Sequence, residues 1–192
     1  SYEFSETISV NFSNLQHGIF RYIPTKGSDN LTALKVDQIN VAGWNYEDYF
    51  ENKNKVIKIG DPDYYLTGKQ IFSLNYRVRI YDDKDTNGDM VYLDLLPTNW
   101  ETPIDHVKIA FQFPKDIKED DIRIYGDKYG ADNLADTIDW RYDAETRTVQ
   151  IEGRDLPQGM GITLYCPLPE GYWTDQLSND WAKPVSIILG IF

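Results

Sequence analysis

The spacing of apolar residues constrains this chain most, and that spacing is two almost everywhere. Ile8, Val10 and Phe12 alternate with Thr7, Ser9 and Asn11. Phe72, Leu74, Tyr76, Val78 and Ile80 alternate with Ser73, Asn75, Arg77 and Arg79. Val107, Ile109, Phe111 and Phe113 alternate with His106, Lys108 and Gln112, and shorter versions occur at Ile122/Ile124, Val149/Ile151 and Ile162/Leu164. A strand sends successive side chains to opposite faces, so each run has one dry and one wet face. Such sheets are antiparallel and cover the dry face with a second layer. The expected fold is therefore all-β, a two-layer and mostly antiparallel β-sandwich with little helix.

Turn signals separate the runs. Gly60-Asp61-Pro62-Asp63 reads as a turn and Asn87-Gly88 as a hairpin tip between 79–81 and 91–93. Asp143–Thr146 reads as a short loop joining Trp140-Arg141-Tyr142 to Thr148–Ile151. The alternation slips once. Leu34 and Val36 are out of phase with Ile39 and Val41, which predicts a bulge near Asp37-Gln38 or two short strands. Two segments, 45–53 and 175–183, are expected to form a turn or two of helix.

At 192 residues the chain is expected to be one domain, 1–192. Its formal net charge of -12 repels phosphate backbones and anionic headgroups, which argues against a nucleic-acid partner or a polybasic membrane-surface role. With 41% hydrophobic and 14% aromatic residues there is ample material for a core. The lone cysteine, Cys166, cannot form an internal disulfide and lies in the apolar stretch ITLYCP, so it reads as a buried small hydrophobe. No run of 18 apolar residues is present and no leader opens the sequence, so a secreted or anchored protein would have to extend beyond it. The apolar ending PVSIILGIF (184–192) reads as a last strand or as the start of a further segment.

Motifs that carry chemistry are sparse. In DKDTNGDMVYLD (83–94), Asp83, Asp85 and Asn87 precede Gly88 as in a calcium-binding loop, which makes them candidate Ca2+ ligands. The closing position is Asp94 rather than Glu, and residues 90–96 alternate like a strand, so a polar hairpin is the competing reading. Paired acids such as Asp82/Asp83 and Asp61/Asp63 could serve a glycosidase only if two carboxyls faced each other across a cleft. His17 and His106 form no metal motif, and no nucleophile elbow or phosphate-binding glycine loop occurs. No catalytic residues are assigned. Trp44, Tyr46 and Tyr49, and Tyr172, Trp173 and Trp181, read as plugs for the sandwich ends, or as surfaces for sugars or protein partners.

HGIFRYIP (17–24) follows the strand ETISVNF (6–12). Downstream come IKIGDPDYYLTGKQIFSLNYRV (57–78) and VYLDLLPTNWETPIDHVKIAFQFP (91–114). This order resembles the N-terminal region of bacterial predicted membrane proteins grouped as domain-of-unknown-function family 2207, over about residues 3–170. Tyr92-Leu93-Asp94 stands where the family tends to have Tyr-Trp-Asn. The resemblance implies an extracytoplasmic β-rich domain followed by membrane helices, so that residues 171–192 would lead toward the membrane. It implies no catalytic activity.

Within these motifs Arg21, flanked by Phe20 and Tyr22, is expected to pair with a carboxylate or stack on an aromatic ring. A ligand groove built from His17, Arg21 and Asp61 requires the three to converge. The functional expectation is a non-catalytic binding domain for an envelope component or protein, attached to the cell surface. The alternatives are a carbohydrate-binding or carbohydrate-active sandwich and a calcium-stabilised adhesion module.

Overall fold

The structure, a computed structural model, describes residues 1–26, 33–81, 87–128 and 133–178. The three long alternating runs of the sequence are its principal strands. β1 (Tyr2–Gln16) and β6 (Leu66–Ile80) pair antiparallel from Tyr2 opposite Val78 to Phe12 opposite Gly68. β3 (Leu34–Ala42) lies on the other side of β6. A second sheet runs β2 (Gly18–Pro24), β5 (Asn54–Gly60), β4 (Tyr46–Glu51). All six of these strands come from residues 2–80.

The C-terminal half repeats the build. One sheet orders β10 (Ile138–Asp143), β11 (Thr148–Leu156) and β8 (Ile104–Gln112). The other orders β7 (Asp89–Leu96), β12 (Met160–Leu168) and β9 (Arg123–Lys128). Every pairing between strands is antiparallel, and among the described residues the helical content is one 3-10 turn, Glu119–Asp121. The all-β expectation holds.

Inward residues of all four sheets form one apolar cluster, from Phe72 and Ile57 in the first half to Phe113, Ile151 and Leu164 in the second. Tyr2 bridges the halves, with its ring 5.6 Å from Phe111 and 5.1 Å from Trp173. Tyr172 and Trp173 are buried plugs, and the Tyr172 hydroxyl donates to the Lys115 carbonyl at 2.9 Å. Cys166 is fully buried, and burial pushes its thiol up to about 11.

The slip at Asp37-Gln38 is a bulge. Register shifts between Asp37, opposite Arg77, and Asn40, opposite Asn75, and Gln38 takes a φ of 53°. The extra residue resets the phase, so that Leu34, Val36 and Val41 all face the core. Two expectations are corrected. Residues 46–51 are not helical but form β4, hairpinned to β5 through Asn52 and Lys53 with φ of 48° and 63°. Two consecutive positive φ values make the tight turn that matches strand twist, and Asn tolerates the first. The polar hairpin between 79–81 and 91–93 does not form: β6 pairs with β1 and β3, whereas β7 pairs with β12. In the second helical segment, the described residues 175–178 contain no helix, and Leu177 instead bridges to Tyr81.

Candidate functional site

The two family-like motifs meet at one end of the first half, and glycine makes the meeting possible. Gly18 begins β2 directly opposite Gly60, which ends β5. A Cβ on Gly18 would lie 1.9 Å from the Ile59 carbonyl oxygen, and one on Gly60 would lie 2.0 Å from that of His17. With φ of 149° and 139°, both positions exclude side chains on conformational and steric grounds together. The Asp61 N–H then donates to the His17 carbonyl at 3.1 Å, closing the strand ends.

His17 and Asp61 thus converge, and their side chains brace the loop that leads into β6. Asp61 Oδ1 accepts from the Asp63 N–H at 2.9 Å, and Oδ2 accepts from Asn45 Nδ2 at 2.9 Å. His17 Nδ1 lies 3.0 Å from the Tyr64 carbonyl oxygen. A carbonyl only accepts, so Nδ1 carries the proton and a neutral ring keeps Nε2 as an acceptor. The imidazole also lies 4.3 Å from the Tyr65 ring. Beside these braces is a cavity of about 650 Å3 lined by Trp44, Asn45, Asp61, Tyr64 and Tyr65. Trp44 forms its back wall, packed 4.8 Å from Phe72 with its indole N–H donated to the Ile71 carbonyl. Tyr64 and Tyr65 are 67% and 64% exposed.

Arg21 does not join them. It lies three residues beyond Gly18 along β2, about 10 Å on at the rise of a strand, and points into the core, 4% exposed. Both alternatives expected for it are realised. Its Nε and Nη2 donate to Glu6 at 2.8 and 2.7 Å, and the guanidinium sits 6.0 Å from the Trp100 ring centroid. The Tyr76 hydroxyl donates to Glu6, and Arg21 Nη1 donates to the Tyr22 carbonyl. Burial pushes the Glu6 carboxyl up, but the charge and hydrogen bonds of Arg21 outweigh it and hold the group below its ordinary range. Burial raises the Tyr76 hydroxyl, which stays protonated as the donor. The group lies along a cavity of about 640 Å3 between β1 and β8, two sheet edges that no backbone ladder joins. Trp100 Nε1 and Arg147 Nε, both on this cavity, are buried without a hydrogen-bond partner.

Sequence reasoning missed Glu6, Tyr76 and Trp100 as partners of Arg21. One signal was available: Glu6 has the same parity as Ile8, Val10 and Phe12, which puts a carboxylate on the dry face of β1. Such a residue requires a buried cation or donor. Of the candidate calcium ligands, Asp83 and Asp85 lie outside the described residues. Asn87 sits in a bend just before β7. Among the described residues no group of three His, Cys, Asp or Glu side chains could hold a metal ion.

The surface is uneven. Among the described residues the exposed large hydrophobics are Leu15, Phe20, Tyr46, Tyr49, Phe50, Tyr64, Tyr65 and Ile71, all in the first half. Every residue of β4 is exposed. No helix of the described residues is long and apolar enough to cross a membrane.

Comparison with curated proteins and with solved structures gave no match. A family model did match, over residues 1–166, which contain all twelve strands up to Cys166 of β12. The chain belongs to the family described as "Predicted membrane protein (DUF2207) N-terminal domain".

Proposed function

We propose that this is a non-catalytic binding domain, displayed outside the membrane by the predicted membrane protein of which it is the N-terminal part, and that it recognises an envelope component or a protein there. The observation that carries the reading is that, among the described residues, the exposed large hydrophobics all fall within residues 15–71. Scattered single apolar residues on a surface need no explanation, but eight large ones in one half supply the material for an interaction surface. The acidic surface, with a net charge of -12, fits a domain that stands off anionic headgroups while tethered near them.

Two experiments test this. A photo-crosslinking amino acid at Phe50 or Tyr64 of the full-length protein in cells is expected to give defined adducts, whereas the same group at the exposed hairpin residue Glu145 is not. Equal adducts from both halves would remove the argument. For display, Glu145→Cys is expected to react with a membrane-impermeant maleimide in intact cells, against a silent background from buried Cys166. Reaction only after permeabilisation overturns the external placement.

A further inference from the structure

We infer that the loop cavity formed by Trp44, Asn45, Asp61, Tyr64 and Tyr65 is a binding site for a neutral saccharide. The inference rests on the binding-domain reading and gives it a ligand class and a place. Its first support is that the two tyrosines are presented rather than stranded. Leaving two adjacent aromatic rings about two-thirds exposed is unfavourable, yet this loop is tied down on every side. The Tyr64 carbonyl is held by His17, and the Tyr64 N–H donates to the Asp61 carbonyl at 3.3 Å. Asp61 is anchored by Asn45 and caps its own turn, and the Gly60 N–H donates to the Asn45 carbonyl at 2.9 Å. A loop braced this way holds the backbone that carries both rings in place before a ligand arrives, which lowers the ordering cost of binding.

The second support is the chemistry of the lining. Trp44, Tyr64 and Tyr65 bring to the lining aromatic surface of the kind that packs against the C–H faces of a pyranose. Asp61 and Asn45 retain hydrogen-bonding capacity beyond their mutual contact, because a carboxylate has about four acceptor sites and a primary amide two donors and an acceptor. Their planar polar groups suit adjacent ring hydroxyls. Among the described residues neither Lys nor Arg lines the cavity. With a carboxylate inside and a net charge of -12 outside, an anionic sugar or a phosphate is disfavoured. A volume of about 650 Å3 has room for a short oligosaccharide.

The test is saturation-transfer NMR on residues 1–192 with tetramers of glucose, mannose and N-acetylglucosamine at millimolar concentration, and with a galacturonate tetramer as the anionic control. Transfer to at least one neutral tetramer is expected, with at least tenfold weaker binding of the anionic one. Tyr64→Ala/Tyr65→Ala is expected to weaken the neutral ligand at least tenfold with an unchanged melting temperature, since both side chains are mostly in solvent. Three outcomes each overturn the inference: no transfer to any neutral tetramer, transfer undiminished in the double variant, or equal binding of galacturonate. If the saccharides fail while crosslinks from Tyr64 persist in cells, the saccharide inference falls and the binding-domain reading stands. If crosslinks from both halves are equal, the broader reading falls as well.

Discussion

The two halves of the molecule are alike in build and unlike in content. Residues 2–80 and 89–168 each form two three-stranded antiparallel sheets, and no sheet mixes them. The second half has an apolar interior, with Phe113, Val149, Leu156, Ile162, Leu164 and Cys166 fully buried. The first half keeps a guanidinium, a carboxylate and a phenol inside, and aromatic residues outside. Among the described residues Arg21 is the buried charged side chain, and it belongs to the first half. Its exposed edge strand β4 carries Glu47, Asp48 and Glu51, with Glu47 bound to Lys58 at 2.7 Å. Charges along an edge discourage pairing with other strands, so the aromatic surface can be displayed without inviting aggregation. The comparison teaches that one sheet plan can carry two contents, an apolar interior in the second half, and a buried ion pair with exposed aromatic residues in the first.

The comparison can be broken most sharply at glycine. Gly18→Ala or Gly60→Ala is expected to cost more than about 4 kcal/mol or abolish folding, because backbone meets the new Cβ. Gly126→Ala in the second half meets the Ile138 side chain, 2.5 Å from Cδ1, which can rotate away, and is expected to cost about 1–3 kcal/mol. Urea denaturation of the three variants measures the contrast, and equal losses would erase it.

Next come the buried phenylalanines. Phe72 and Phe113 belong to one apolar cluster that crosses the halves. Either one changed to Ala is expected to cost about 3–5 kcal/mol of stability and to lower the midpoint of a single unfolding transition. Two calorimetric transitions, with only one moving, would show the halves to be independent units.

The ion pair gives a smaller effect. Glu6→Gln is expected to cost about 3 kcal/mol, at the lower end for broken buried pairs because 19% of the Glu6 side chain is exposed. Glu6→Met/Arg21→Met is expected to lose less than either single change, since no unpaired charge remains. The folded-state Glu6 carboxyl is depressed below its ordinary 4.5, so its contribution is complete above that pH and is lost as pH falls through the folded value. Denaturation of Glu6→Gln against the wild type, stepped from pH 6 to pH 3, should therefore show the gap closing as the solution becomes acid. A gap that widens below pH 4.5 contradicts the assignment.

The smallest effect is expected on the exposed face, where Phe50→Ala, at a side chain 69% exposed, should change stability by no more than about 0.5 kcal/mol. A larger loss would mean that the face is structural rather than a display surface.

Much of the fold was legible because period two is local. Which face of β6 is dry, that Cys166 is inside, and that β3 slips near Gln38 all follow from a few neighbouring residues. The braced loop was partly legible, since of His17, Arg21 and Asp61 the structure brings His17 and Asp61 together and places Arg21 in the core. Residues four apart on one strand share a face, but His17 lies outside β2, before Gly18, and stays at the loop end, whereas Arg21 lies within β2 with its side chain in the core. The aromatic lining was not legible as a site, because Tyr64 and Tyr65 merely follow the Gly60–Asp63 turn in sequence and gain their setting only when Asn45 and His17 are placed against the loop.

What the amino-acid order determined alone is the strand content apart from β4, and the dry and wet faces. Strand partners were decided only by the tertiary structure. That β6 pairs with β1 and β3 rather than with β7, and that Glu6 meets Arg21 across two sheets, depend on contacts between residues far apart in the chain. Alternation states which face must be covered but is silent on what covers it. The choice falls to whichever packing buries the most apolar surface while leaving no charge unpaired.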